Sequence, residues 1–379
     1  MQTKWRDSPT VCHVRTNKIV WVVAAAVTLL LLTGVGIAYA VRSRPHRSEP
    51  TAAPGSAPAP TPSAAPSSSA PPSGADIHGP LDLLLIGVDT RTSVPDWEPH
   101  ADALMLLHVN AGLDSGYLYS LPRDLRVSMP AYPKAGFPGG RYKLTEAMSR
   151  GSRVPGTKRT NVEQGYQLLS RTISAYTGIK TFQAGAILDF AGLSRLTDAL
   201  GGVTLRIDQK VVSIHRRPDG SLRTLKAGGG GYLGPQAVYL PGTRRLVGWQ
   251  ALDYARQRYT AGGDYTRQRH QRQLVKALLT EAESAGLATD SDKLQGVIGA
   301  LGSTLVYLGG RTPIEYAYAL RNLTPASLTL VGLPGGSVTS GGTYLGEELE
   351  KPGKDFLKAV ATGDPATYLK AHPELINKP

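Results

Sequence analysis

Two aspartates bracket a gap between apolar runs: residues 83–88 end at Asp89, and residues 103–109 begin directly after Asp102. If the two runs are neighbouring antiparallel strands, both carboxylates reach the same sheet edge. Carboxylates brought together without an intervening base repel, and they tolerate that proximity when a divalent cation or a proton sits between them. A hard cation held by one or two carboxylates and completed by substrate phosphates is the usual magnesium arrangement. Asp also ends strands and opens turns, so spacing alone favours the plainer reading of each residue.

Basic residues supply the complementary chemistry. A helix starting at Asp264 would carry the apolar stripe Leu274, Val275, Leu278, Leu279 and Ala282, which continues backward through Gln271, His270 and Arg267. An inward arginine must be paired or must line a cavity, because an unpaired buried charge is costly. A phosphate-binding cleft and a structural carboxylate would answer equally well. Arg269, Arg272 and Lys276 fall on the other side and are expected to form a solvated face. Upstream, Arg256 and Arg258 diverge by about 200° on a continuing helix, so both reach one ligand only if the helix ends near Arg256. Gly262-Gly263 nearby make that ending reasonable. Arginine suits bidentate phosphate contact, and Arg123, followed by Asp124, and Lys143 are further basic candidates.

Residues 83–88 and 103–109 read as buried strands, and residues 117–121, stopped by Pro122, as a third. Helical spacing runs from 162 to 176, with Asn161 suited to the N-cap and Gly178 to the stop. A strand at 181–188, a helix at 190–200 ended by Gly201-Gly202, and a strand at 203–207 follow. Residues 216–242, rich in Gly and Pro, read as a long excursion, after which helices return at 247–257 and 264–285. Strands alternating with helices predict an α/β or α+β sandwich.

These elements are expected to lie outside a membrane. Residues 19–40 are uncharged and mostly apolar, and about 20 residues of helix cross roughly 30 Å of hydrocarbon. A single uncleaved span is therefore expected, the rival being a signal peptide with its cleavage site at Ala38-Tyr39-Ala40. Lys4, Arg6, Arg15 and Lys18 before the run, against Arg42, Arg44 and Arg47 after it, favour a cytoplasmic N-terminus only slightly. Residues 48–75 carry one charge, Glu49, among Pro, Ala, Ser, Thr and Gly. Such a tract cannot bury enough apolar area to fold, and commonly spaces a domain away from a bilayer. The expected division is 1–18 cytoplasmic, 19–40 membrane span, 41–78 linker, 79–285 catalytic domain and 286–379 C-terminal extension.

The sole thiol, Cys12, precedes the span, so neither a disulfide nor a cysteine nucleophile is available beyond it. Net charge is +13; setting aside +3 for residues 1–18 and +2 for residues 42–49 leaves +8 on the rest. That surplus implies an anionic partner, unless it serves solubility alone. Phospholipid head groups, lipid-linked phosphates and acidic wall polymers fit better than nucleic acid for a domain beyond a membrane. No helix-turn-helix signal precedes the span.

Taken in order, Leu85-Ile86-Gly87-Val88-Asp89-Thr90-Arg91, Ala101-Asp102-Ala103-Leu104-Met105, Ser120-Leu121-Pro122-Arg123-Asp124 and Lys143-Leu144-Thr145 resemble the first motifs of the LytR-CpsA-Psr family. Asp198-Ala199-Leu200-Gly201-Gly202-Val203, the run from Tyr254 to Tyr259, and Gly263-Asp264 with Arg267 and Gln271 are similar to the later ones. The match covers roughly residues 81–285, and the tail, including residues 328–335, resembles extensions of actinobacterial members. The resemblance implies a central mixed β-sheet flanked by helices, and a membrane-anchored phosphotransferase. Such an enzyme moves a glycopolymer from a polyprenyl-pyrophosphate carrier onto a peptidoglycan hydroxyl and leaves polyprenyl phosphate. It further implies that Asp89 and Asp102 hold magnesium, or manganese in its place. Arg123, Lys143, Arg256, Arg258 and Arg267 would grip the pyrophosphate with support from Gln271, and Arg91 would serve the phosphates or its loop. Asp124 is a candidate base for the acceptor hydroxyl, its alternative being a salt bridge that orients Arg123. The lipid needs an apolar tunnel, for which the helices at 162–176 and 190–200 are candidate walls.

This sequence departs from the family pattern at His100, where an arginine is common; the resemblance makes His100 a pyrophosphate-binding candidate, with a weaker or pH-dependent grip because a histidine is only partly charged near neutral pH. His270 stands where a second arginine is frequent, Arg272 where a second glutamine is, and Thr145 replaces a frequent asparagine. These departures leave room for a different polymer or lower activity. They also keep two alternatives open: a non-catalytic lipid-phosphate or wall-binding regulatory protein, and a polyprenyl-pyrophosphate pyrophosphatase.

Overall fold

The computed structural model describes residues 74–89, 98–287 and 290–377. The apolar run 19–40, most of the tract after it, and Arg91 lie outside the described residues.

A six-stranded sheet organises the chain. Strands β1 (Leu81–Asp89), β2 (His100–Val109) and β3 (Gly116–Ser120) form an antiparallel meander. The short strands β4 (Arg126–Met129) and β5 (Gly140–Lys143) pair as a separate hairpin, and β6 (Ala184–Asp189) returns parallel to β1. The C-terminal segment supplies both edges: Leu305–Gly309 runs antiparallel to β6, and Leu328–Val331 runs parallel to β3. The sheet is therefore mixed, with helices on both faces.

On one face Leu83, Leu85, Met105 and Leu107 share a core with residues of the Gly248–Arg256 and Gly263–Ser284 helices, including Tyr254, Leu274 and Leu278. On the other, Leu84, Ile86, Leu104 and Leu106 meet Met148, Leu168, Ile173 and Phe356 from the Thr145–Ser152, Val162–Thr177 and Lys351–Thr362 helices. Burial from both sides explains why β1 and β2 are apolar throughout instead of alternating.

Local signals set the helix ends. The Asn161 side chain accepts from Gln164 N at 3.0 Å, and Gly178, at φ +82°, takes the left-handed turn that stops the helix. Asp189, the last residue of β6, caps the Phe190–Ala199 helix by accepting from Gly192 N at 2.7 Å. That helix leans on the start of the Gly248–Arg256 helix, where Gly248 N donates to Asp198 Oδ1 at 2.7 Å.

One expected surface is covered. Arg272 is 3% exposed, with Nη2 donating to Asn377 Oδ1 at 2.5 Å, and Lys276 Nζ donates to the Leu328 carbonyl at 3.0 Å. Burial pushes the Arg272 guanidinium down to about 9. The solvated-face expectation fails at these two residues because strand Leu328–Val331 and the segment ending at Asn377 fold over that side of the helix. Arg269 keeps a partly exposed ion pair with Asp208.

The crossing of the Phe190–Ala199 and Gly248–Arg256 helices depends on a missing side chain, because a Cβ at Gly248 would lie 2.1 Å from the Ser194 carbonyl oxygen. Gly248→Ala is expected to cost about 1–3 kcal/mol of stability, read as a lowered thermal unfolding midpoint. An unchanged midpoint would contradict this packing.

Candidate active site

β1 and β2 do pair antiparallel, but the residue facing Asp89 is His100. Gly87 faces Ala103 and Val88 faces Ala101, so Asp102 is the extra residue of a β-bulge. This bulge decides the chemistry. Asp102 has the same parity as Leu104 and Leu106, whose side chains point to the face opposite Leu83 and Leu85. An unbroken strand would turn Asp102 to that face as well. The bulge breaks the alternation, sends Ala101 to the Leu104 side, and leaves Asp89 and Asp102 lining one cleft.

The cleft holds about 520 Å³ and is lined by four arginines, Arg123, Arg256, Arg258 and Arg267, with Gln271. Four guanidiniums against two carboxylates leave an excess of two positive charges in the lining. Arg123 Nη1 donates to Asp102 Oδ1 at 2.5 Å, and Arg267 Nη2 donates to the Asp102 carbonyl at 3.1 Å. Arg267 is 5% exposed and also meets Asp264 Oδ1 at 2.8 Å, while its Nε is buried without a partner. Burial pushes the Arg267 guanidinium down against the pull of Asp264. Arg256 is likewise pushed down by burial, opposed by Asp89 and Asp102, and its guanidinium lies 3.8 Å from the Phe190 ring centre. The helix carrying Arg256 ends there: Gln257 is extended at ψ 123°, which brings Arg256 and Arg258 to the same cleft.

Gln257, between those two arginines, points inward to a buried hub. Asp253 accepts from Ser213 Oγ at 2.9 Å, Tyr239 OH at 2.8 Å and Gln257 Nε2 at 2.8 Å. Gln257 Oε1 in turn accepts from Ile214 N at 3.2 Å. The hub pins both ends of the glycine-rich excursion against the arginine-bearing helix. Ile214 and His215, just before the excursion, and Gly230, Gly231 and Tyr232 within it join the cleft lining, none of them singled out by sequence reasoning. The only signal available was the length of a Gly- and Pro-rich excursion, since long loops in compact domains tend to be functional.

Below the cleft lies an apolar pocket bounded by β1, β2, β6 and the Phe190–Ala199, Gly248–Arg256 and Gly263–Ser284 helices. Ala103, Phe190, Arg256 and Gln271 line both spaces, so the polar cleft adjoins the apolar one, which holds about 80 Å³. Of the two helices expected as walls, Phe190–Ala199 is one, whereas Val162–Thr177 packs on the opposite face of the sheet.

Other candidates stand beside the cleft. Asp124 meets Lys143 Nζ at 3.7 Å, Arg123 Nε at 3.8 Å and the Tyr344 hydroxyl at 3.3 Å, and neither Asp124 nor Lys143 lines the cleft. Lys143 lies 4.4 Å from the Tyr344 ring centre. His100 Nδ1 is 2.9 Å from the Glu98 carbonyl, outside the cleft lining. His270 is fully buried, stacked at 4.4 Å on Tyr254 with Nε2 3.0 Å from Asp208, and burial pushes its imidazole down. Its substitution for a family arginine thus falls away from the cleft.

No group of three or more His, Cys, Asp and Glu side chains able to hold a metal ion is present among the described residues. Asp89 and Asp102 offer two carboxylates, one with an oxygen committed to Arg123. That set suits a hard cation completed by water and phosphate oxygens, and does not suit a softer metal that needs nitrogen or sulfur ligands.

The LytR_cpsA_psr family model matches residues 58–350. The cell wall biosynthesis protein LcpA of Corynebacterium glutamicum is 26% identical over 289 residues, covering 70% of this chain and 52% of that protein. The polyisoprenyl-teichoic acid–peptidoglycan teichoic acid transferase TagU of Oceanobacillus iheyensis is 26% identical over 220 residues, 58% of this chain and 57% of its own. The chain thus spans about half the length of the curated relatives it matches. A crystal structure of a Streptococcus agalactiae protein superposes with a TM-score of 0.58 at 21% identity, covering 78% of this chain and 95% of that one, and so shares the fold.

Asp253→Ala would strand the Ser213 and Tyr239 donors, at about 1–3 kcal/mol for each left unpaired, while Gln257 Nε2 keeps its bond to the residue 253 carbonyl. The expected outcome is an excursion released from the cleft and cut by protease within residues 208–240 under conditions where the wild type resists. An unchanged cleavage map would contradict the hub.

Proposed function

Since the chain belongs to the LytR-CpsA-Psr family, we propose that it transfers a glycopolymer from a polyprenyl-pyrophosphate carrier to a peptidoglycan hydroxyl. The observation that carries this reading is an arginine-lined cleft lying against an apolar pocket, with Ala103, Phe190, Arg256 and Gln271 as their shared wall. A donor with a dianionic pyrophosphate and a polyprenyl tail needs those two environments in direct succession.

The acceptor oxygen attacks the phosphorus that bears the polymer, the bridging P–O bond breaks, and polyprenyl phosphate departs. Phosphoryl transfer of this kind depends mainly on positioning and on neutralising charge at the bridging and leaving oxygens. Arg123, Arg256, Arg258 and Arg267 provide that charge, and Gln271 stands where head group gives way to tail. Magnesium, held by Asp89 and Asp102, would supply further charge neutralisation. Asp124 then acts through Arg123, holding it from the side away from the cleft. Residues 19–40, as a membrane span, would keep the cleft in the plane of its lipid donor, and the tract after them would set its reach toward the wall.

With magnesium, a lipid-linked pyrophosphate donor and peptidoglycan, the full-length protein is expected to release polyprenyl phosphate, and chelation is expected to stop the release. Arg258→Ala, at an exposed position, and Arg267→Ala are each expected to lower kcat/KM by about 100-fold or more. Full activity in both variants would contradict the assignment of the cleft.

A further inference from the structure

The reaction needs a proton acceptor for the attacking hydroxyl, and the cleft lining narrows the choice. Its titratable members besides the arginines are Asp89, Asp102, His215, Tyr232 and Tyr259. The two aspartates are the paired anions, and Asp102 already accepts from Arg123 at 2.5 Å. A phenol is a proton donor at neutral pH. We propose that His215 is the general base that deprotonates the acceptor hydroxyl, an inference that rests on the transferase reading of the same cleft.

The backbone that carries His215 is held from both sides. Ser213 Oγ accepts from His215 N at 3.1 Å and from Arg216 N at 2.9 Å while donating to the buried Asp253. Arg223 braces the same turn from the other side: its N donates to the His215 carbonyl at 2.8 Å, and its Nη1 and Nη2 donate to the carbonyls of Ile214 at 2.7 Å and Tyr232 at 3.0 Å. The Tyr232 ring meets the imidazole edge-on with centres 5.2 Å apart. Nδ1 is buried without a partner, and no described residue bonds Nε2, which leaves Nε2 as the nitrogen open to the cleft.

Electrostatics lower the proton affinity of the imidazole. Burial first, then Arg256, Arg216 and Arg223, push the imidazole below its usual 6.5, against an opposing pull from Asp253. The direction is the useful one, because a base must be neutral at the working pH before it can take a proton. In the reaction the hydroxyl proton moves to Nε2 as the oxygen bonds to phosphorus and the bridging P–O bond breaks toward the leaving polyprenyl phosphate. The proton then leaves the imidazolium for solvent or for the departing phosphate. Because the hub that holds His215 also holds Gln257, base and phosphate grip are fixed by one carboxylate, Asp253.

The test compares full-length wild type with His215→Gln and His215→Ala, using a lipid-linked pyrophosphate donor, magnesium and peptidoglycan. Both variants are expected to lose transfer by about 100-fold or more while donor KM changes little. The acid limb of the wild-type pH–rate profile, placed below the usual histidine range, should vanish in His215→Gln, and added imidazole should restore part of the rate of His215→Ala. Folding is checked by the unfolding midpoint of each variant, and imidazole rescue cannot arise from a merely unfolded loop. Transfer within about threefold of wild type with the acid limb intact would overturn the inference and leave the transferase reading standing. A wild-type protein that binds the donor but transfers nothing would overturn both.

Discussion

The site depends on one irregularity in a regular sheet. A bulge at Asp102 turns its carboxylate onto the cleft face with Asp89, and leaves its backbone carbonyl free to accept from Arg267. Through its two acceptor groups Asp102 therefore joins β2, the loop after β3 that carries Arg123, and the Gly263–Ser284 helix. Bulges recur beside active sites because they re-aim one side chain at small cost to the surrounding ladder. Here the ladder resumes at Ala103, and Gly87 opposite leaves so little space that an added Cβ would lie 3.0 Å from that of Ala103. The close pairing brings the floor of the cleft and the roof of the apolar pocket together at that residue.

Around this point the fold separates two tasks. The apolar face of β1, β2 and β6 with three helices forms an apolar pocket whose charged lining residues are Arg256, shared with the cleft, and Asp189, which caps a helix. Burial raises the demand of Arg256 and Arg267 for an anion, since both guanidiniums are pushed down by desolvation and only partly compensated by nearby carboxylates. A bound phosphate, as the proposed function requires, would relieve that cost. The C-terminal segment supports the arrangement from behind, where it closes both sheet edges and covers Arg272 and Lys276.

Much of this was legible in the sequence, and the exceptions share a cause. Asn161, Gly178 and the Gly201-Gly202 pair act within a few residues of themselves, so the helix ends they set were readable. The inward direction of Arg267 and Gln271 followed from helical period, and the stop after Arg256 from the need for Arg256 and Arg258 to converge. What was not legible depends on partners distant in the chain. Nothing near Asp102 announces a bulge, because the bulge is a relation between β1 and β2. Arg272 and Lys276 look solvated until residues 328–331 and 377 are placed over them. The helix at 162–177 looked available as a tunnel wall because amphipathic period does not say which face of a sheet a helix will cover. His215 and Tyr232 sit in a segment without period, and are held at the cleft by contacts of Asp253 and Arg223 with residues distant in the chain.

The proposed account reduces to one claim, that a pyrophosphate-linked polymer is held across these two spaces and handed to a sugar hydroxyl. Mass spectrometry of peptidoglycan fragments after reaction with the full-length protein, magnesium and a lipid-linked donor tests it most directly. The account predicts a new phosphodiester between polymer and peptidoglycan, formed in equal amount to the polyprenyl phosphate released. Donor binding without turnover, or polymer phosphate released to water with peptidoglycan present, would contradict it.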